Sequence, residues 1–271
     1  MKFKFALVNG DKTEAQPGMQ GTCINCPSDM IAKCGTVKVW HWAHKSNASC
    51  DPWWENETEW HRKWKNCFPT EWQEIIHKDS TTGERHIADI KTDKEFIIEF
   101  QHSAIKSDEI KSRENFYKNM IWVVDGTRLK NDYPRFCKGL SSLRPIASGF
   151  FRSTFPEECF PASWLTSSVP VYFDFQGLSP VNQPDSKLSD FWCLFPERVE
   201  GYTIIACHFP RKQFIELSSI APHLLLAQES LSVIAEGIRQ ERASASQRVD
   251  PLAALNAQYA RTLRRRRFRR L

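Results

Sequence analysis

The stretch that decides the reading runs from Arg85 to Tyr117, RHIADIKTDKEFIIEFQHSAIKSDEIKSRENFY. It divides into two strand-like segments joined by the polar turn KTDK, followed by a helix-prone segment. Asp89 is expected to end the first strand. In the second, alternation sends Phe96, Ile98 and Phe100 to one face and Ile97, Glu99 and Gln101 to the other. Two carboxylates and an amide then converge at one sheet edge, the oxygen-rich setting that a hard divalent cation and a phosphate need. Glu99 sits inside the apolar run FIIEF, where an unpartnered carboxylate is expensive.

Outward from this hairpin the pattern continues. EWQEIIHK (71–78) precedes it as a further strand, and Ile121 to Val124 follows as a buried one. Ile105, Ile110, Phe116, Tyr117 and Met120 fit an amphipathic helix of about four turns. Upstream, ENETEWHRKWKNCFP (55–69) reads as a helix closed by Pro69. Trp60, Trp64 and Phe68 form its apolar stripe, and Glu57, His61 and Lys65 lie at four-residue spacing on a neighbouring face. That polar stripe is either a solvated face or one that overlooks the site. The order helix, three strands, helix, strand is a compact α/β unit.

Before it, Cys23-x2-Cys26 is followed fourteen residues later by His41-Trp-Ala-His44, then by Cys50. A thiolate knuckle with a matched downstream pair can close a tetrahedron around structural zinc. The completing pair is either His41 with His44, or His44 with Cys50 while His41 packs or hydrogen-bonds. Cys34 is a weaker candidate. Nine cysteines, an odd number, favour free thiols and a metal site over a disulfide framework.

With 41% apolar and 12% aromatic residues, the chain has the means to build a packed core. No apolar run reaches a membrane span, and MKFKFALVNGDKTE is too short in apolar residues for a secretory leader, so a cytoplasmic protein without membrane attachment is expected. The net charge of +5 is uneven: RTLRRRRFRRL at the C-terminus holds seven arginines, so the other 260 residues sum to −2. Arg264, Arg265, Arg266, Arg267, Arg269 and Arg270 are expected to contact a nucleic-acid backbone without reading sequence. No P-loop, GxGxxG fingerprint, Gly-x-Ser-x-Gly elbow or EF-hand loop is present, which leaves kinase, dehydrogenase and serine-hydrolase readings without support.

Beyond residue 125 the pattern weakens. Residues 126–170 read as linker or irregular packing, and 170–217 as three or four strands that extend the sheet or form a second small domain. Cys193, Cys207 and His208 lack ligand spacing and read as packing residues. Leu224, Leu231, Ile234 and Ile238 keep helical spacing, GIRQERASASQRVD reads as a polar hinge, and PLAALNAQYARTL as helix-prone.

Taken together, Cys23, Cys26, the His41–His44 box, the Glu57-to-Lys65 helix, Asp89, Glu99, Gln101, Ser103 and the Arg113-to-Tyr117 segment resemble the CoiA-like competence protein family, within the PD-(D/E)XK nuclease superfamily. The resemblance covers residues 20 to 125 and implies a bacterial or phage-encoded protein that processes or recombines DNA, in competence, on mobile elements or in defence. The implied architecture is α/β (α+β): a zinc-binding element at 1–54, a PD-(D/E)XK core at 55–140, an α/β extension at 141–245 and a helical basic tail at 246–271.

The implied activity is hydrolysis of DNA phosphodiesters. Asp89, Glu99 and the Phe100 carbonyl would hold Mg²⁺ or Mn²⁺, Gln101 would position the attacking water, and Glu57 or His61 would assist. The superfamily usually has lysine where this chain has Gln101, so a positive charge is expected from Lys65, Arg85 or Lys91. Two other readings stay open: a DNA-binding recombination accessory with a degenerate site, and a zinc protein that binds a protein partner.

Overall fold

The computed structural model describes residues 2–46, 50–53, 55–147, 149–175, 190–220 and 226–247, with backbone alone at 197, 204–209, 226–230 and 245–247. The chain divides into two compact units, 1–225 and 226–271.

The first strands form a sheet of their own. Among the described residues β1 (Phe5–Val8), β2 (Asp11–Glu14), β3 (Gln20–Thr22), β4 (Asp29–Lys33) and β5 (His41–His44) are ordered β2-β1-β3-β4-β5. A two-way backbone pairing of Phe3 with Trp42 brings β5 back to the start of the chain. Phe3, Ala6, Met30 and Trp42 fill the interior. Three short strands form before residue 23, two of them too polar to carry an alternating signal.

Helix α1 (Glu59–Lys65) then leads into β6 (Gln73–Lys78), β7 (Arg85–Lys91) and β8 (Ile97–Gln101), and α2 (Ser107–Tyr117) crosses over to β9 (Met120–Asp125), which lies parallel to β8. The helix, three strands, helix, strand order expected from the sequence is present. Its boundaries differ. Asp89 does not end its strand, because β7 continues through Ile90 and Lys91, which pair with Ile98 and Ile97. Helix α1 is short: the Thr58 side chain caps it by accepting from the His61 amide, and Asn66 closes it before Pro69 is reached. Helix α2 has 11 residues, about three turns, because Ile105 lies before it and Met120 already belongs to β9.

The sheet does not stop there. Helix α3 (Asp132–Gly139), β10 (Arg144–Ala147) and β11 (Phe150–Ser153) follow, then β12 (Val171–Asp174), β13 (Asp190–Val199), β14 (Tyr202–Pro210) and α4 (Arg211–Ile220). The described strands make one sheet ordered β10-β11-β14-β13-β12-β9-β8-β7-β6, with β12 parallel to β9. Residues 126–170 are therefore not irregular linker. Phe136, Phe160 and Trp164 from this stretch enter the main core beside Trp122 and Phe173, and Ser167 and Ser168 hydrogen-bond the buried Glu114 carboxylate. KQFIEL (212–217), the end of the segment read as three or four strands, lies in α4.

In the second unit the described part is α5 (Leu226–Gln247), which carries Leu231, Ile234 and Ile238. The expected polar hinge is helical as far as Gln247. Leu224, residues 248–271 with the basic tail and the side chains of Cys207 and His208 lie outside the described residues. Cys193 is buried, as a packing residue should be. No described helix is long and apolar enough to cross a membrane.

Candidate active site and metal centre

The backbone ladder between β7 and β8 gives way at Asp89 and Glu99, where side chains take over. Asp89 Oδ2 accepts from the Phe100 amide at 3.0 Å, and the Asp89 amide donates to Glu99 Oε1 at 3.2 Å. The two carboxylates thus brace a splayed strand pair. They line a cavity of about 40 Å³, room for a cation and a few waters.

Four further carboxylates line the same cavity: Asp51, Glu55, Glu57 and Glu74. Against these six acids stand two fixed cations, Lys65 and Arg113. Arg113 from α2 donates to Glu99 Oε2 at 3.1 Å and to Glu109. Burial nonetheless pushes the Glu99 carboxyl up to about 8, the Asp89 charge adds to the rise, and Arg113 only partly offsets it. A buried acid in surplus negative charge is the electrostatic state that a divalent cation relieves.

Lys65 comes from α1 and is buried. Its Nζ lies 2.5 Å from Glu57 Oε2, 2.8 Å from Glu74 Oε1 and 3.7 Å from Asp89 Oδ1. Burial alone would favour the neutral amine, but the charges of Glu57, Glu74 and Asp89 outweigh it and hold the ammonium well above its ordinary pKa. Glu57 also receives Arg62 Nε at 3.2 Å. Glu57, His61 and Lys65 are all buried, so the polar stripe of α1 faces the cavity and not solvent.

The helix is fixed in that pose from behind. Both Trp60 Nε1 and Trp64 Nε1 donate to Asp174 Oδ2 at 3.0 Å, and Arg211 pairs with the same carboxylate. His61 sits at 3.0 Å by Nε2 from the Phe100 carbonyl and at 3.3 Å from Glu55 Oε2. Burial lowers its affinity for a proton, but Glu55 and Asp89 reverse this and raise its pKa. Glu55, which burial alone would raise, is brought down to about 2 by His61, Ser103 and His102. With Nε2 spent as a donor, His61 serves charge balance here, and the Phe100 carbonyl is already engaged.

Gln101 is placed otherwise than expected. It does not line the cavity; its Nε2 donates to the Ser103 carbonyl at 3.0 Å, while its buried Oε1 has no partner among the described residues. Of the three alternative cations, Lys65 alone reaches the carboxylates. Lys91 pairs with Glu95 at 2.7 Å, and Arg85 is exposed at the start of β7.

Sequence reasoning gave no site role to Asp51, Trp53, Glu55, Glu74 or Arg113, the last named only in the segment that carries the family resemblance. Asp51 accepts from the Trp53 amide, His86 Nδ1 and the Ile87 amide, and so ties the segment after Cys50 to β7 two residues from Asp89. Glu74 has a left-handed backbone, φ +46°, and its carboxylate takes the Lys4 and Phe5 amides as well as Lys65. Strain at a non-glycine residue beside a cavity marks an imposed position.

The second cluster is Cys23, Cys26, His44 and Cys50, whose ligand atoms all lie within 4.8 Å of one another. Cys23 Sγ stands 3.6 Å from Cys50 Sγ, and Cys26 Sγ 3.2 Å from His44 Nε2. A zinc tetrahedron with bonds of about 2.3 Å to sulfur and 2.0 Å to nitrogen has edges of roughly 3.5–3.8 Å, close to these spacings. The cluster could hold a metal such as zinc. His41 stands outside it, its Nδ1 2.8 Å from the Val39 carbonyl, so of the two ligand sets left open the one with Cys50 matches the geometry.

Two family models match the chain. Residues 12–52 match the N-terminal domain of competence protein CoiA, and residues 85–147 match the CoiA nuclease-like domain. The first match includes the four-residue cluster, and the second includes Asp89, Glu99 and Arg113. Glu57, just before α1, Lys65 on α1 and Glu74 on β6 fall between them. No curated protein and no solved structure matches the chain.

Proposed function

We propose that this chain, a CoiA-like competence protein in its N-terminal element and its nuclease-like domain, hydrolyses DNA phosphodiesters at the Asp89–Glu99 site, on a PD-(D/E)XK core. The observation that carries the reading is the imbalance of six carboxylates to two cations around a cavity into which Glu99 is fully buried. The donor set, all oxygen and strongly acidic, suits Mg²⁺ or Mn²⁺ held by Asp89 and Glu99. When bound, such a cation supplies Lewis-acid stabilisation of charge on the scissile phosphate.

The chain's own residues supply the rest. Arg113 orients the Glu99 carboxylate, while Glu57 and Glu74 aim the Lys65 ammonium at Asp89, where it neutralises charge that builds on a phosphate during in-line attack. Lys65 thereby does from α1 what the usual lysine does from the strand. Gln101 Oε1, an acceptor without a partner among the described residues, is available to hold a water. The Cys23, Cys26, His44 and Cys50 site holds zinc in a structural role.

The test is a cleavage assay on linear and circular, single- and double-stranded DNA with zinc-loaded protein, with and without added Mg²⁺ or Mn²⁺, beside Asp89→Ala/Glu99→Ala. Metal-dependent cleavage lost in the variant supports the proposal. The placement of Gln101 favours a second reading, a DNA-binding recombination accessory, and equal salt-sensitive binding by both proteins without cleavage would select it.

A further inference from the structure

The β4–β5 hairpin has a composition that the catalytic site does not use. Between Asp29 and Asp51 the chain has no acidic residue but three lysines, Lys33, Lys38 and Lys45. The register pairs Met30 with His44 at one end of the hairpin and Lys33 with His41 at the other. His44 belongs to the metal cluster, so the metal end anchors the hairpin and the loop 34–40 projects from the opposite end.

That loop exposes large apolar side chains where solvent would not favour them. Val37 is 92% exposed and Trp40 45%. The indole is nonetheless held in place: Trp40 Nε1 donates to the Gly35 carbonyl at 3.2 Å. A hydrogen bond at the ring edge fixes orientation and leaves a π-face open. Lys33, Val37, Lys38 and His41 line a groove of about 590 Å³ in the same loop. Among the described residues neither Lys33 nor Lys38 has an ion-pair partner, and both are exposed.

The geometry points to a binding site for single-stranded nucleic acid on this hairpin: Trp40 stacks on an unpaired base, and Lys33 and Lys38 meet the flanking phosphates. A pinned exposed indole beside unpaired lysines is how sequence-tolerant strand binding is built. Lysine is depleted at protein–protein interfaces, so a protein partner fits the same surface less well. Duplex DNA fits less well too, because its base faces are covered. The inference rests on the nuclease reading only in taking nucleic acid as the ligand.

The test measures binding apart from cleavage. Full-length, zinc-loaded Asp89→Ala/Glu99→Ala protein is titrated against fluorescein-labelled oligo(dT) and a duplex of equal length, and anisotropy gives Kd across a salt series. The parent should prefer the single strand. Adding Trp40→Ala should weaken that binding by about tenfold or more, with Trp40→Phe retaining most of it. Lys33→Ala/Lys38→Ala should make the slope of log K against log salt shallower by about 1.4. Zinc content and melting temperature of Trp40→Ala, matched to the parent, separate lost stacking from lost folding. Unchanged Kd and slope in both variants, or a parent that binds no oligonucleotide, overturns the site. Cleavage by the wild type is scored separately. Trp40-dependent binding without cleavage keeps the hairpin and removes the nuclease, and cleavage with Trp40-independent binding does the reverse.

Discussion

Lys65 Nζ stands 3.7 Å from Asp89 Oδ1, although one arrives on helix α1 and the other on strand β7. The distance is longer than a direct hydrogen bond because Glu57 and Glu74 hold the ammonium closer to themselves. A cation kept by two neighbours and aimed at a third acid is positioned for a newcomer phosphate. Lys65→Ala should therefore lower cleavage by about 100-fold or more. It also takes from the buried Glu57 and Glu74 the cation they share, leaving Arg62 on Glu57 alone, so a stability loss of about 3–5 kcal/mol is expected. Gln101→Ala should cost at most about tenfold, because a side chain that holds one water contributes less than a fixed charge. Cleavage rates and chemical denaturation of both variants decide the matter; a larger loss at Gln101 than at Lys65 would return the central role to the strand.

The hairpin at 85–101 was legible because local rules agree there. Alternation, a turn-rich KTDK and a carboxylate inside FIIEF all point to the same strands and the same acid. The knuckle at Cys23 and Cys26 was legible for a similar reason, since ligand spacing is written along the chain. Glu74 was not, because nothing in EWQEIIHK foretells that one residue takes φ +46° to reach β1 and Lys65. Arg113 belongs to a segment that carries the family resemblance, but its role shows only when α2 is laid against Glu99. Residues 126–170 misled because Gly, Pro and Ser dilute the periodicity, while their core contribution comes from isolated aromatics such as Phe136 and Trp164. Tertiary docking, not local pattern, placed each of these.

The metal cluster makes a separable prediction. Purified protein should carry one zinc per chain; Cys50→Ser and His44→Ala should lose it, and His41→Ala should keep it. Asp51, next to Cys50, is hydrogen-bonded to the Ile87 amide at 2.9 Å, so losing the metal should also loosen the wall of the Asp89–Glu99 cavity. Elemental analysis reads the first effect, and proteolysis of the 50–55 segment reads the second. Zinc retained in Cys50→Ser but lost in His41→Ala would select the other ligand pair.

Glu99 gives the site a pH dependence with a definite sign. Its folded pKa is raised from 4.5 to about 8, so between those values the folded protein binds a proton that the unfolded chain has lost. Stability without a divalent cation at the site should fall as pH rises through that window. Glu99→Gln should flatten the fall. A cation displaces the proton, so Mn²⁺ should raise the melting temperature more at pH 8 than at pH 6, and cleavage at subsaturating Mn²⁺ should climb over the same range. Differential scanning fluorimetry at the two pH values is enough; a slope that persists in Glu99→Gln would assign it elsewhere.

Glu55 opposes that trend on the acid side, and His61 adds to it at higher pH. The Glu55 pKa is depressed from 4.5 to about 2, so its contribution is present above the unfolded value and lost as pH falls toward 2. The His61 pKa is raised above 6.5, so its contribution is present below that value and lost as pH rises through the folded pKa. The pair therefore stabilises most between about pH 4.5 and 6.5, where both are charged. Glu55→Gln should destabilise by about 1–3 kcal/mol in that interval and by less once pH has risen through the folded His61 pKa, where the ion pair is lost in the parent as well. The remaining loss at pH 9 comes from the turn after β8, since Glu55 also accepts from the His102 amide at 3.2 Å and the Ser103 amide at 2.5 Å. That turn follows Gln101 directly, so cleavage in Glu55→Gln should fall even where stability recovers. Urea denaturation at pH 5.5 and 9, with cleavage rates alongside, tests both halves. A pH-independent stability loss would mean that the carboxylate acts through the turn alone and that His61 is neutral in the folded protein.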